Sequence, residues 1–456
     1  MNGQRDNKGV VKKVIIAAAA VIAAVLLFFA GYFTYYLTLD GGLRSLLWVK
    51  DKIQGEYYEE IGDDEFWNAA IDGTVGLLDQ YSEFYTAKEF DDVVNADQGI
   101  KSGIGAAFFT GTNKVYHIAY NSPLFYASDN GTVEEGDSGA PVEEGMYLTG
   151  IGAEGQIEDT FTYAALSEKA ALLSGDAPVT LRFSSLSASD TEHCSIVTVT
   201  PAVYIESYVL YSAGGRAWAY VTQDGETYTW EDVRKYTPVD EKVPAGAAYL
   251  RLTQFYGNAG AEFARAAQQF KEDGASVLLL DLRNNGGGSL TVMQQLCGYL
   301  CKDAVAGDVV LEARYRGGKS EKYGIGESRY GEYFAGSTIY AAANGNTASA
   351  SEALLGAMIS YGTIGYGNIF ITDTTGGQAD ASTYGKGIMQ TTFYNAGTGE
   401  AIKMTTAEIF WPNGTSIHGT GIRVSDGAVA VQAASYGEYG DPELAQIFSA
   451  IAPSGQ

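Results

Sequence analysis

The sequence predicts a mixed α/β fold (an α+β multidomain chain) with one helix fit to cross a membrane. Three observations predict it. From Ala247 onward, apolar runs of strand length alternate with amphipathic stretches of helix length, the pattern of a sheet covered by helices. Between Gly103 and about Thr200, short β-type runs are broken by Gly, Asn and Asp. Val14–Leu37 contains no charged residue. A length of 456 residues allows about two to four domains. With 46% apolar and 18% charged residues, the composition is globular.

In chain order, residues 14–37 come first. At about 1.5 Å per residue they span roughly 36 Å, enough for a bilayer core of about 30 Å. Arg5, Lys8, Lys12 and Lys13 precede them against a single acid, Asp6. Positive flanks stay cytoplasmic, so the expected topology is single-pass, N-terminus inside, everything after Leu39 outside the cytoplasm. The competing reading, a cleaved signal peptide, expects an apolar region of only about 7–15 residues. Residues 41 to about 100 read as helical: Leu43, Leu46, Leu47 and Val49, then Phe66, Ala69, Ala70 and Val75, recur at helical spacing. A turn at Asp79–Ser82 closes that run. The β-type region follows, with strands expected near Lys114–Tyr120 and Pro178–Phe183 and a helix at Tyr163–Leu173. Beyond it, strands are expected at Ala247–Leu252, Val277–Leu282 and Thr338–Ala343. Helices are expected at Gly260–Asp273, Leu290–Leu300 and Ala350–Ile359. The boundaries are 1–40 for tail and anchor, 41–100 helical, 101–200 β-rich and 201–456 for the core.

Composition excludes several functions. Lys plus Arg total 29 and Asp plus Glu 55, a net charge of −26. Such a chain repels phosphate backbones, so no nucleic-acid partner is expected. Three His, far apart, and three Cys show no metal-ligand spacing. No G-x-x-x-x-G-K-[ST] is present and the Asp281–Gly288 loop is no G-x-G-x-x-G, so neither metal nor nucleotide cofactor is expected. Cys297 and Cys301 share one face of a helix-like run and read as buried free thiols.

Two segments carry chemistry. Asp281-Leu282-Arg283-Asn284-Asn285-Gly286-Gly287-Gly288 follows an apolar strand. Its glycines permit a tight turn that presents bare N–H groups to an anion, although an ordinary strand-to-helix turn has the same look. Asn344–Glu352 passes from a strand into a helix. A Ser at that junction sits where N–H groups and the helix dipole favour an oxyanion. Ser349-Ala350-Ser351-Glu352 equally reads as a helix-capping box. A nucleophilic Ser needs a base. Lys386, between Gly385 and Gly387 with Gln390 nearby, serves if burial keeps it neutral; a lone loop Lys is otherwise a solvated charge.

Together these segments resemble the C-terminal processing peptidases, the tail-specific serine proteases of the S41 family. The likeness runs through Gly76–Tyr85 (its "LDxYS" signature) and Gly103-Ile104-Gly105 (the entry to its PDZ domain). It continues through Asp281–Gly288 ("DLRxNxGG"), Thr347–Glu352 (the nucleophile segment) and Tyr384–Gly387 with Gln390 (the base segment). It ends with Thr406–Gly414, Gly421-Ile422, Asp426 and Asp441–Leu444. The resemblance implies a ClpP/crotonase-like α/β protease core with an inserted PDZ-like domain. It implies Ser349 as nucleophile, Lys386 as general base and Gln390 as the residue that positions it. It also implies an oxyanion hole from N–H groups of Gly287 or Gly288 and of Ala350. Spacing alone does not separate Ser349 from Ser351. The implied substrates are proteins or peptides held by their C-terminal tails; the alternative is a non-catalytic scaffold of the same fold. Two departures stand out. The separation of Ser349 from Lys386 is long for the family, with the excess read as a surface insertion over Asn368–Ser382. The PDZ "GD" step is either Gly136-Asp137 or replaced by Gly145-Met146.

Overall fold

The computed structural model describes residues 7–127, 142–213, 217–223, 227–232, 243–374, 376–377, 380–433 and 441–451. Side chains are described from residue 12 and, within 214–242, not at all. The chain forms two compact units, 1–80 and 81–456.

The first unit is helical. Helix α1 (Asn7–Thr38) contains Lys12–Thr38, which is long and apolar enough to cross a membrane, with mean hydropathy 2.9. Helix α2 (Gly41–Glu56) starts at Asp40, whose side chain accepts the Gly42 N–H at 2.7 Å. Helix α3 (Asp63–Val75) opens with Asp63, Asp64 and Glu65, charges that suit a helix N-terminus.

The second unit begins with β1 (Glu83–Tyr85) and α4 (Ala87–Asp97), the latter started by a Thr86/Glu89 capping box. A β-rich module follows. It comprises β2 (Ile100–Gly103), β3 (Ala106–Phe108), β4 (Val115–Ile118), α5 (Pro123–Ala127), β5 (Tyr147–Ala153), β6 (Glu158–Asp159), α6 (Tyr163–Glu168), β7 (Val179–Ser184), β8 (Cys194–Val199) and β9 (Ala202–Ile205). The expected Tyr163–Leu173 helix is split, its second half a 3₁₀ turn at Ala170–Leu173. Strands β2 and β9 pair antiparallel, Ile100 opposite Ile205, so the chain enters and leaves the module at one place. Of the two "GD" alternatives, Gly136-Asp137 lies outside the described residues. Gly145 takes a positive φ of 92° just before β5, and Met146 is buried.

The core comprises β10 (Val209–Ala213), β11 (Ala217–Gln223), β12 (Thr227–Asp232), β13 (Ala247–Leu252), α7 (Ala259–Glu272), β14 (Val277–Asp281) and α8 (Leu290–Leu300). It continues through β15 (Val309–Tyr315), β16 (Ser320–Gly324), α9 (Tyr330–Tyr333), β17 (Thr338–Ala343), α10 (Ala350–Ser360) and β18 (Ile369–Asp373). It closes with β19 (Ile388–Tyr394), β20 (Ala401–Phe410), β21 (Val429–Gln432) and α11 (Pro442–Ile451). Eight strands form one sheet in the order β12-β11-β10-β13-β14-β17-β18-β21, parallel from β13 to β21. Successive strand residues face opposite sides. Leu278 and Leu280 therefore pack with Phe263, Leu296 and Leu354 of α7, α8 and α10, while Val277 and Leu279 face Phe448 of α11 and the β-rich module. Burial on both faces is why these strands read as unbroken apolar runs. A second sheet, β1-β20-β15-β16 with β19 on β20, carries the segment after Lys386.

The reading of Asn368–Ser382 as a surface insertion needs correction. Its first part is β18, an inner strand of the large sheet, with Ile369, Phe370 and Ile371 buried.

Candidate active site

Strands β14 and β17 are parallel neighbours, Asp281 opposite Ala342. The loops leaving their C-terminal ends therefore emerge side by side, where open parallel sheets bind ligands. The first loop is braced at its root. Buried Asp281 accepts from the Tyr249 hydroxyl at 2.8 Å and pairs with Arg283 at 2.6 Å. Arg283 reaches on to Asp441 at 2.7 Å and Glu443 at 3.2 Å at the start of α11. Burial opposes the Asp441 charge, but Arg283 outweighs it and holds that carboxyl below its ordinary pKa.

Asparagines shape both loops. Asn284, at φ +61°, and Asn344 exchange hydrogen bonds at 3.0 and 2.7 Å. Buried Asn285 donates to the Leu252 carbonyl, while its own carbonyl accepts from Ala348 N–H and the Ser351 hydroxyl, both at 3.0 Å. That answers which serine is available. Ser351 is fully buried with its hydroxyl committed; Ser349 is partly exposed.

Ser349 stands at φ +57°, ψ −114°, a conformation that costs a non-glycine residue about 1–3 kcal/mol and concentrates at functional sites. The Ser349 hydroxyl makes no cap hydrogen bond to α10. Only the other half of the predicted cap forms, from Ser349 N–H to Glu352 Oε2 at 3.0 Å.

Glu352 does more than cap. It is fully buried, and its Oε2 also accepts the Lys386 N–H at 2.9 Å. Its Oε1 accepts the Gly385 N–H at 2.7 Å and the Thr383 hydroxyl at 2.6 Å. One carboxylate oxygen thus joins the backbones of Ser349 and Lys386. Burial raises the Glu352 pKa, and the four donors pull it partway back. Sequence reasoning gave Glu352 only a capping role; its separation from Thr383–Lys386 hid the rest.

Close packing holds the Lys386 segment. A Cβ on Gly385 would stand 2.8 Å from Gly421 N, and one on Gly387 2.7 Å from His418 N. The Lys386 amine lies over the Tyr81 ring, 4.4 Å from its centroid. Gln390, on β19, donates from its amide to Thr405 at 2.9 Å.

Gly287, at φ +101°, lies against the Ser349 segment: a Cβ there would stand 2.8 Å from both Ala350 N and Ser349 Cβ. The Gly287 N–H donates to Asn285 Oδ1 at 2.9 Å. Among the described residues, the N–H groups of Gly288 and Ala350 donate to no protein acceptor.

Tyr116 of β4 donates its hydroxyl to the Asn284 carbonyl, so the β-rich module touches this loop directly. Next to it His117 stands between Glu144 at 2.6 Å and Glu206 at 3.3 Å, and Arg251 of β13 meets Glu144 at 3.0 Å. Burial alone would lower the His117 pKa; the two carboxylates outweigh it and lift it to about 9. The three cysteines are buried and free, Cys297 Sγ lying 3.3 Å from Met293 Sδ.

A parallel sheet with serine and glycine loops at its C-terminal edge can be set beside known proteins. Residues 246–424 match Peptidase family S41, so the chain carries an S41 peptidase domain. Among relatives, the carboxyl-terminal-processing protease of Synechocystis sp. is 29% identical over 212 residues, covering 46% of this chain and 44% of that protein. A probable CtpA-like serine protease of Staphylococcus epidermidis is 25% identical over 390 residues, covering 84% of this chain and 64% of that protein. This chain therefore spans less than two thirds of either relative. A solved photosystem II D1 C-terminal processing protease aligns with TM-score 0.46 at 17% identity, covering 85% of this chain and 88% of that one.

Proposed function

We propose that this chain is a membrane-anchored serine endopeptidase using Ser349 and Lys386, its catalytic body held outside the cytoplasm by residues 14–37. The observation that carries the reading is the shared Glu352 carboxylate, which fixes the backbones of both residues within one hydrogen-bonded unit. Neutral Lys386 takes the Ser349 hydroxyl proton as Oγ bonds to the scissile carbonyl carbon. The oxyanion is received by the N–H groups of Gly288 and Ala350, Gly287 being occupied. The Lys386 ammonium then protonates the leaving amine as the C–N bond breaks. Water, deprotonated by Lys386, then bonds to the acyl carbon, and the Lys386 ammonium returns the proton to Ser349 Oγ as the ester C–O bond breaks. In this scheme Gln390, whose amide is held by Thr405, is a positioning residue for Lys386.

We read residues 101–200 as a PDZ-like module that takes a substrate's C-terminal tail as an added strand. The relatives' description as carboxyl-terminal-processing proteases supports that substrate class. The test uses the full chain in detergent with unfolded casein. Cleavage by the parent and none by Ser349→Ala is expected, with equal thermal stability. Cleavage that survives in Ser349→Ala sinks the assignment. Tail-peptide binding without cleavage by the parent favours the scaffold reading.

A further inference from the structure

We propose that Tyr81 is a positioning residue for Lys386, its ring receiving the ammonium that Lys386 becomes on taking the Ser349 proton. The inference rests on the Ser349/Lys386 reading and goes beyond it by giving a role to the Leu78–Ser82 motif.

The Lys386 amine lies 4.4 Å from the centroid of the Tyr81 ring, within the roughly 6 Å over which a ring face attracts a cation. The ring is itself held. Its hydroxyl donates to the Tyr384 hydroxyl at 2.9 Å, and the two rings meet edge to face, 6.5 Å apart at 73°. The adjoining backbone is fixed as well. Thr405 N donates to Ser82 Oγ at 3.3 Å, and β1 pairs with β20, Glu83 opposite Lys403. The Thr405 hydroxyl also accepts from Gln390 at 2.9 Å. The segment carrying Tyr81 and the strand carrying Gln390 are therefore secured to one residue of β20.

The chemistry follows from the ring's charge distribution. Its face is negative, so it attracts an ammonium and gains little from a neutral amine. The attraction appears as the proton moves from Ser349 Oγ to Lys386 Nζ, which favours the transition state over the resting state. Glu352 fixes the Lys386 backbone, and the Tyr81 ring meets the far end of the flexible four-carbon stem.

The test is a ¹³C titration of the Lys386 Cε resonance in the full chain in detergent, assigned by its loss in Lys386→Arg. Tyr81→Leu is expected to lower the midpoint by about half a pH unit or more. Tyr81→Phe, which keeps the ring, is expected to hold it, and Tyr81→Trp to hold or raise it. In casein cleavage Tyr81→Leu is expected to lower kcat about threefold or more with KM little changed, and Tyr81→Phe to restore it. An unchanged midpoint in Tyr81→Leu overturns the proposal, as does an equal fall in Tyr81→Phe, which would assign the effect to the hydroxyl. The titration needs no turnover. If Ser349→Ala still cleaves, the Ser/Lys reading falls while the titration continues to decide the place of Tyr81.

Discussion

Glu352 receives four donors on two oxygens, Thr383 and Gly385 on Oε1, Ser349 and Lys386 on Oε2. Glutamine has the same shape but replaces one oxygen with an NH₂ group, so one pair of donors would face another donor. Glu352→Gln is therefore expected to lose about 2–3 kcal/mol in denaturant melts and at least about tenfold in kcat, with KM nearly kept. Ser351→Ala gives the contrast. It removes one buried hydrogen bond to Asn285, worth about 1 kcal/mol, and activity should survive. Serine, lysine and the glycine loop were visible in the sequence because their neighbours are unusual in type. The wider role of Glu352 was not, since S-x-x-E describes a helix cap whether or not the carboxylate also meets a distant loop. Nor was Tyr81 visible as a partner of Lys386: nothing local to either residue signals a contact made across the whole second unit.

The loop after β14 shows what element geometry adds to a row of identical residues. Gly286, Gly287 and Gly288 look equivalent in sequence. A Cβ on Gly286 meets nothing within 4 Å, whereas one on Gly287 would strike the backbone of Ala350 and one on Gly288 that of Phe255. Gly287→Ala should displace the first turn of α10, abolish cleavage and lower Tm by several degrees, since a strained positive φ adds about 1–3 kcal/mol. Gly286→Ala should leave rate and Tm close to the parent. Core strands β13 and β17 and helix α8 were legible to the residue, because burial on both faces leaves an unbroken apolar run and a helix face repeats every 3.6 residues. The sheet made of β1, β15, β16, β19 and β20 was not. Its strands mix Lys, Glu and Thr with apolar residues, as half-exposed strands do, and β1 joins β20 from the far end of the unit. Strand β18 was mistaken for insertion because its apolar stretch is short and bordered by Asn, Thr and Gly.

At the scale of the whole second unit, a partly buried ionic group joins the β-rich module to the large sheet. His117 is lifted to about 9, while Glu144, against the cost of burial, is held at about 2 by Arg251 and His117. A raised histidine contributes stability that is full below its unfolded pKa near 6.5 and is lost as pH rises through 9. A depressed glutamate contributes stability present above about 4.5 and lost as pH falls through 2. The pair supports the unit best between roughly pH 4.5 and 6.5. Glu262, raised by burial to about 8, adds a further decline as pH climbs from about 4.5 to 8. Urea melts at pH 6 and pH 9.5 should show the parent losing on the order of 2 kcal/mol more than His117→Gln. Equal losses would show that His117 does not tie the module down.

The antiparallel pair that closes the module's neck, Ile100 opposite Ile205, makes this region a cassette with adjoining ends. Splicing Gly99 to Glu206 needs almost no bridging chain, since Glu206 N already donates to Gly99 O at 2.8 Å. Excision would nonetheless leave Arg251 without Glu144 and the Asn284 carbonyl without Tyr116. A transplanted module therefore needs more than matching ends. It must bring a carboxylate for that arginine, a hydroxyl for that carbonyl, a partner for the Glu206 carboxylate that His117 now meets and an apolar face for Val277 and Leu279, so lineages exchanging such cassettes are constrained along the seam and not at the ends alone.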